Sequence, residues 1–265
     1  MKYKKLRSGK KIESALSADL SRHAKEQLRE AVYSQFAETV KLPSEFCDVS
    51  EEINNKGYLI LKIGHDFNEY YEAISGNAKF FNVNTEICGF LKDLCADTEK
   101  FIKRKEQNFI CKIPEEKIFV NIDRERFCYA VLNIILNASE NSKNGGKIRM
   151  VLSKTKKFVK ITVGDNGFGM DEESLLHCFE PFYSKSVGNK KSKMGLGLTF
   201  SRNFVIESGG RINISSEEGK GTTVSMLLPI SEKSETNLSV ESSVPDILGG
   251  KFSPVRIVFS ALDKD

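Results

Sequence analysis

Apolar residues recur at helical spacing in two stretches of this chain and then switch to short alternating runs. Ile60, Ile63, Phe67, Tyr70, Ile74, Ala78 and Phe81 advance in steps of three and four, which predicts a helix with a narrow apolar stripe. After the polar break Asn82-Val83-Asn84-Thr85, the residues Ile87, Phe90, Leu91, Leu94, Phe101 and Ile102 predict a second amphipathic helix. Two such helices make a hairpin that buries neither face fully. Pairing with a second copy into a four-helix bundle solves that problem and predicts a homodimer. The alternative is that the hairpin packs on its own C-terminal domain. Ahead of it, Ser14 to about Val40 reads as a polar-rich helix that stops before Pro43.

Beyond Asn108 the pattern mixes helix and strand. Lys117 to Asn121 predicts a short strand, and Asp123 is placed to cap a helix whose apolar face is Phe127, Ala130, Val131, Ile134, Ile135 and Ala138. Asn144-Gly145-Gly146 ends that helix with turn chemistry. Ile148 to Ser153 and Phe158 to Val163 predict a hairpin. A helix near Leu175, a basic loop from Ser184 to Lys193, a helix from about Leu196 to Glu207, and strands near Ile212 and from Thr222 to Leu228 follow. The expected class is α+β: an N-terminal helical hairpin, then an α/β sandwich with a mixed sheet covered on one face by helices. The segments divide as 1–52, a helical and basic stretch; 53–108, the hairpin; 109–230, the sandwich; and 231–265, a Ser- and Glu-rich linker and tail. In that tail Val255-Arg256-Ile257-Val258-Phe259 reads as one added strand or the remnant of a further domain.

Bulk properties narrow the classes. A formal net charge of +4, from 40 basic and 36 acidic residues in 265, gives no field that marks a nucleic-acid binder. The basic cluster Lys2, Lys4, Lys5, Arg7, Lys10 and Lys11 reads as a solvated terminus. No apolar run reaches membrane-spanning length and no secretory h-region opens the chain, so a cytoplasmic protein is expected. The six cysteines form no C-x-x-C pair and read as small core hydrophobes in a reducing compartment.

Four segments carry chemistry. Asn133 and Asn137 stand one helical turn apart at the border of the apolar face, where an amide without a partner costs ~1–3 kcal/mol. Mg²⁺ and phosphate oxygens would satisfy them, since an amide oxygen is a hard ligand. Asp165 follows a strand and opens Asp165-Asn166-Gly167-Phe168-Gly169; its carboxylate can accept from an exocyclic amine, and Gly167 and Gly169 let the backbone approach a flat ligand. In Gly195-Leu196-Gly197-Leu198 a basic loop enters a helix whose first N–H groups favour anionic phosphate, with Lys185, Lys190, Lys191 and Lys193 around the approach. Gly219-Lys220-Gly221-Thr222 precedes the last strand. His65 falls nearly opposite the first apolar stripe, so it is expected to face solvent, where an imidazole is a usable nucleophile with Asp66 beside it to take or orient its proton.

In this order and at these separations the four segments resemble the nucleotide-binding boxes of the superfamily that unites gyrase, the heat-shock chaperone ATPase, histidine kinases and MutL. Phe179-Glu180-Pro181-Phe182-Tyr183-Ser184-Lys185 resembles the F box of sensor histidine kinases. Gly64-His65-Asp66-Phe67-Asn68, followed by Gly76-Asn77-Ala78, is similar to the phosphoacceptor helix of their nitrogen-regulation-type branch. The resemblance spans roughly residues 53–229 and implies a Bergerat-fold ATPase domain. It implies that Asn137 holds Mg²⁺, that Asn133 helps orient the reacting water or phosphate, and that Asp165 with Thr222 reads the adenine of ATP. Lys185 and the loop to Lys193 would close over the phosphates. The γ-phosphoryl group would pass to His65 with Asp66 as base, and then to an aspartate on a separate response-regulator receiver domain. Two positions depart from the family pattern: Lys193-Met194 stand where the phosphate loop usually begins with glycine, and Glu69 stands where an asparagine tied to phosphatase activity is frequent. Two other classes remain open, an ATP-binding scaffold without autokinase activity and a serine kinase of the anti-sigma type.

Overall fold

Buried positions alternate with more exposed ones along residues 147–154 and 158–165, two strands of the sheet on which everything else rests. The computed structural model describes residues 47–76, 78–185, 194–232 and 253–259. The N-terminal segment before residue 47, most of the basic loop, and the Ser-rich linker lie outside the described residues. Contacts divide the chain into two units, 1–79 and 80–265.

Among its described residues the first unit holds the long helix α1 (Cys47–Ser75), closed by Gly76 in the left-handed region at φ +68°. Its faces are the reverse of the expectation. Ile60, Ile63, Phe67 and Ile74 are exposed, whereas Tyr58, Leu61, His65 and Glu69 form a second stripe in steps of three and four that is buried, together with Asp66. Ala78 and Phe81 lie beyond the end of the helix. The expected seam is therefore an uncovered apolar face, and the polar face is the covered one.

The second unit begins with β1 (Val83–Glu86), in place of the expected polar break, paired antiparallel with β3 (Phe119–Ile122). Glu86 caps the helix α2 (Ile87–Arg104) by accepting from the N–H groups of Cys88 and Gly89. Ile87, Phe90, Leu91, Leu94 and Ile102 of α2 are buried within this unit. The second helix of the expected hairpin is thus a core element of the C-terminal unit, its stripe covered by its own chain. Periodicity announced a face that needed covering but not what would cover it.

The main sheet has the order β2-β4-β5-β7-β6, with β2 (Asn108–Lys112), β4 (Lys147–Lys154), β5 (Phe158–Asp165), β6 (Arg211–Glu217) and β7 (Gly221–Pro229). The β2–β4 pair is parallel and the other pairs are antiparallel, so the sheet is mixed, as expected. Helix α3 (Arg124–Glu140) starts at Asp123, whose Oδ1 accepts from the N–H of Arg126 at 3.1 Å. Its Oδ2 accepts from the N–H of Phe81 at 3.1 Å, and the Arg126 guanidinium lies 4.3 Å over the ring of Phe80. The chain's entry into the unit is thereby tied to the start of α3. A short helix α4 (Glu172–His177) and the helix α5 (Gly197–Glu207) follow. Phe90, Phe127 and Phe204 join α2, α3 and α5 through ring contacts of 5.6 and 6.0 Å. The tail adds α6 (Pro254–Phe259), a helix where a strand had been one expectation.

Candidate functional site

The site forms where the C-terminal half of α3 faces the ends of β5 and β7. A cleft there is lined by Asn137, Asn141, Asp165, Met170, Leu198 and Thr222 over an apolar floor that includes Ile134, Val163 and Val224. Residues from all four sequence segments meet at or beside it.

Asp165 ends β5, and its Oδ1 accepts from the N–H of Gly167 at 2.9 Å and of Thr222 at 3.2 Å. Both bonds fall on the same oxygen, which leaves Oδ2 with no donor among the described residues. Burial pushes the carboxyl pKa above its usual value, and the two N–H groups pull it partly back. A carboxyl oxygen at the wall of an apolar-floored cleft is suited to accept from a ligand N–H group. The Thr222 hydroxyl is shared with Ser216 Oγ at 2.8 Å, so its side chain is held within the strand pair β6–β7. Asn166 serves the fold, since its Oδ1 accepts from the N–H of Lys147 and closes the start of β4.

Gly169, at φ +67°, turns the loop so tightly that a Cβ there would stand 2.0 Å from the carbonyl oxygen of Glu217. The Phe168 carbonyl accepts from the N–H of Gly219 at 2.6 Å, which locks the Asp165 loop to the turn between β6 and β7.

Asn133 is the most informative side chain. It is 1 % exposed, and neither its Oδ1 nor its Nδ2 has a hydrogen-bond partner among the described residues. Such a group costs ~1–3 kcal/mol unless something outside the chain completes it. Gly197 sits against it: a Cβ on Gly197 would lie 3.3 Å from both Cγ and Oδ1 of Asn133. Gly197 is also the first residue of α5, and Leu196, the residue before it, provides no side-chain cap. The free N–H groups and positive end of that helix therefore open beside an uncompleted amide. Ser201 fixes the approach of the two helices by donating to the Ala130 carbonyl of α3 at 3.0 Å. The donor set suits a polyanion and a hard cation.

Asn141 escaped the sequence reading. It stands four residues after Asn137, the same step that separates Asn137 from Asn133, and it lines the cleft while its carbonyl accepts from the N–H of Phe168. That repeat was the signal available. The apolar liners Met170, Ile214 and Val224 carried none.

Lys185 does not reach the cleft's polar groups. Its Nζ binds Asp171 Oδ2 at 2.5 Å and Glu173 Oε2 at 3.4 Å, and the Lys185 ammonium holds the Asp171 carboxyl well below the usual carboxylate range. Asp171 also caps α4 through the N–H of Ser174, so an expected phosphate ligand is instead an ion-pair partner at the start of α4. The Gly195 carbonyl accepts from the N–H of Phe182 at 3.1 Å, while Lys190, Lys191 and Lys193 lie outside the described residues.

In the first unit, His65 is 7 % exposed, which corrects the expected solvent-facing imidazole. Asp66 is 4 % exposed, and its Oδ2 is bound by Lys62 Nζ at 2.5 Å, one turn earlier on α1. Its Oδ1 accepts no hydrogen bond among the described residues. The departure from expectation follows from which stripe of α1 is covered, since sequence periodicity alone assigns the apolar stripe inward.

Residues 122–232 match the family described as Histidine kinase-, DNA gyrase B-, and HSP90-like ATPase. The chain is similar to the Sensor histidine kinase WalK of Bacillus subtilis (strain 168), at 29% identity over 174 residues, 63% of this chain and 28% of that protein. It is also similar to Sporulation kinase D of the same organism, at 35% identity over 119 residues, 45% of this chain and 23% of that protein. The chain thus spans less than a third of the length of either relative. Among solved structures, full-length ShkA in complex with AMPPNP shares the fold, with a TM-score of 0.66 at 19% identity over 82% of this chain and 46% of that one.

Proposed function

We propose, for a chain that over residues 122–232 belongs to the histidine kinase, DNA gyrase B and HSP90-like ATPase family, that it binds ATP in the α3–β5–β7 cleft and acts as a protein-histidine autokinase. The observation that carries the reading is the buried Asn133 amide, uncompleted by the described residues and adjacent to the uncapped start of α5.

In this reading Asp165 Oδ2 accepts from the exocyclic amine of adenine, while Gly167 and Thr222 hold the other oxygen. The N–H groups at the start of α5 and the Asn133 amide receive phosphate oxygens. Asn137, one turn further along α3, holds Mg²⁺, which when bound neutralises phosphate charge during transfer. The acceptor is His65. As the ring nitrogen forms its bond to phosphorus and the bond to the β-phosphate oxygen breaks, Asp66 Oδ1 takes the ring proton, because Oδ2 is already occupied by Lys62. Transfer requires the covered face of α1 to open. The phosphohistidine then supplies an aspartate on a separate receiver domain, and the exposed stripe Ile60, Ile63, Phe67 and Ile74 supports a homodimer.

A second reading draws on the burial of His65 and the Lys62–Asp66 pair: an ATP-binding signalling scaffold in which nucleotide acts as a conformational switch. Incubation with γ-labelled ATP and Mg²⁺ separates the two. The autokinase gives an acid-labile, base-stable label that His65→Gln abolishes. An acid-labile label that persists in His65→Gln places the acceptor at another residue. An acid-stable label points to a serine kinase, and nucleotide binding without label leaves the scaffold.

A further inference from the structure

The segment 253–259 lies beyond the part of the chain that matches the ATPase family, yet it is among the most deeply buried. Val255, Ile257, Val258 and Phe259 are each no more than 3 % exposed. The segment folds as α6, which packs against α2 and α3. Ser253 begins it, accepting from the N–H of Arg256 on its hydroxyl and from the N–H of Ile257 on its carbonyl, and Pro254 fills the first helical position. The ring of Phe259 lies 6.0 Å from that of Phe101 on α2, whose ring also carries the Arg104 guanidinium at 5.1 Å.

Two physical facts make this arrangement more than ordinary helix packing. A six-residue helix is far too short to hold its shape in water alone, so its conformation is imposed by the groove that receives it. In addition, α3 has no solvent-facing stripe: every residue from Phe127 to Leu136 is buried, although a helix lying on a sheet ordinarily keeps one face in water. The cover over α3 includes α6. Between the end of β7 and α6 run residues 230–253, Ser- and Glu-rich in sequence over much of their length.

We propose that the groove between α2 and α3 is a docking site for a short apolar helical segment, and that residues 253–259 are its intramolecular ligand. The recognised chemistry is the Val-x-Ile-Val-Phe run, read by an apolar floor and by the Phe101 ring. Because α3 also carries Asn133 and Asn137, occupancy of the groove and occupancy of the cleft are linked, and linkage acts in both directions. That last consequence rests on the nucleotide reading; the docking itself does not.

The experiment uses the full chain and a fluorescent synthetic peptide of residues 250–262. Val258→Asp places a carboxylate where a fully buried side chain stands, which releases the tethered segment. The labelled peptide is expected to bind the Val258→Asp chain at least tenfold more tightly than the unaltered chain, whose groove is filled. The same peptide carrying the aspartate should bind neither, and amide hydrogen exchange around Phe101 should accelerate in the variant and recover when peptide is added. Equal peptide binding by both chains, or unchanged exchange in α2, overturns the proposal. If the Val258→Asp chain does not fold, Phe259→Ala carries the same comparison. Binding of a non-hydrolysable ATP analogue should weaken in the released chain and recover with peptide. Adding Asp165→Asn weakens analogue binding while leaving peptide binding intact, so failure of the nucleotide reading and failure of the docking give different patterns.

Discussion

Asp165 concentrates the chemistry of the cleft in one carboxylate whose two oxygens do different work. In Asp165→Asn the amide oxygen can keep both backbone donors, so the loop stays closed, but the group left facing the cleft becomes a donor instead of an acceptor. Loss of a charge-assisted bond worth ~1.5–3 kcal/mol predicts adenine-nucleotide binding weaker by roughly 10- to 150-fold, measured calorimetrically. Stability should move the other way. A carboxyl whose folded pKa is raised by burial destabilises the fold when ionised, and that cost develops as pH rises from the ordinary value through the folded one. At neutral pH the Asp165→Asn chain without nucleotide is therefore expected to melt higher than the unaltered chain, and below both pKa values the two should converge. A variant that melts lower at neutral pH would disprove this account of Asp165.

At the scale of elements, the junction of α3 and α5 decides how the cleft treats anions. Gly197→Ala adds a good helix former at the first residue of α5, a gain of up to ~1 kcal/mol, yet its methyl group would sit 3.3 Å from the Asn133 amide. The expected result is an unchanged or slightly raised melting temperature with weaker binding of a triphosphate analogue, and equal affinity would show that Asn133 does not face the phosphates. Much of this junction was legible in the sequence. Asp123 as a cap, the periodicity of α3, and the glycine-spaced loops are local chemistry that a linear reading captures, so α3, β4, β5, α5 and β7 appear close to where they were expected. The strands β1 and β2 were not, because four or five residues carry too little pattern and their partners, β3 and β4, are remote in sequence. The packing of α2, the burial of His65 and the ion pairs of Lys185 share one reason: each depends on what a surface meets.

At the scale of the whole molecule, the exposed apolar stripe of α1 is a surface that a partner would cover. Ile60, Ile63, Phe67 and Ile74 lie on one side of a 29-residue helix and are 38–63 % exposed. A second copy seated on that face would bury them in a bundle. Phe67→Glu combined with Ile74→Glu is expected to shift the chain from dimer to monomer in sedimentation without altering nucleotide binding, since both residues lie in the first unit and the cleft in the second. Dimers that persist in this double variant would place the contact elsewhere. The Phe101–Phe259 contact has an optical corollary, because the sequence contains no tryptophan and its native emission comes from seven tyrosines. Phe259→Trp would install a single indole against the Phe101 ring, and the colour and anisotropy of its fluorescence would report continuously on whether the tail is seated while the protein works.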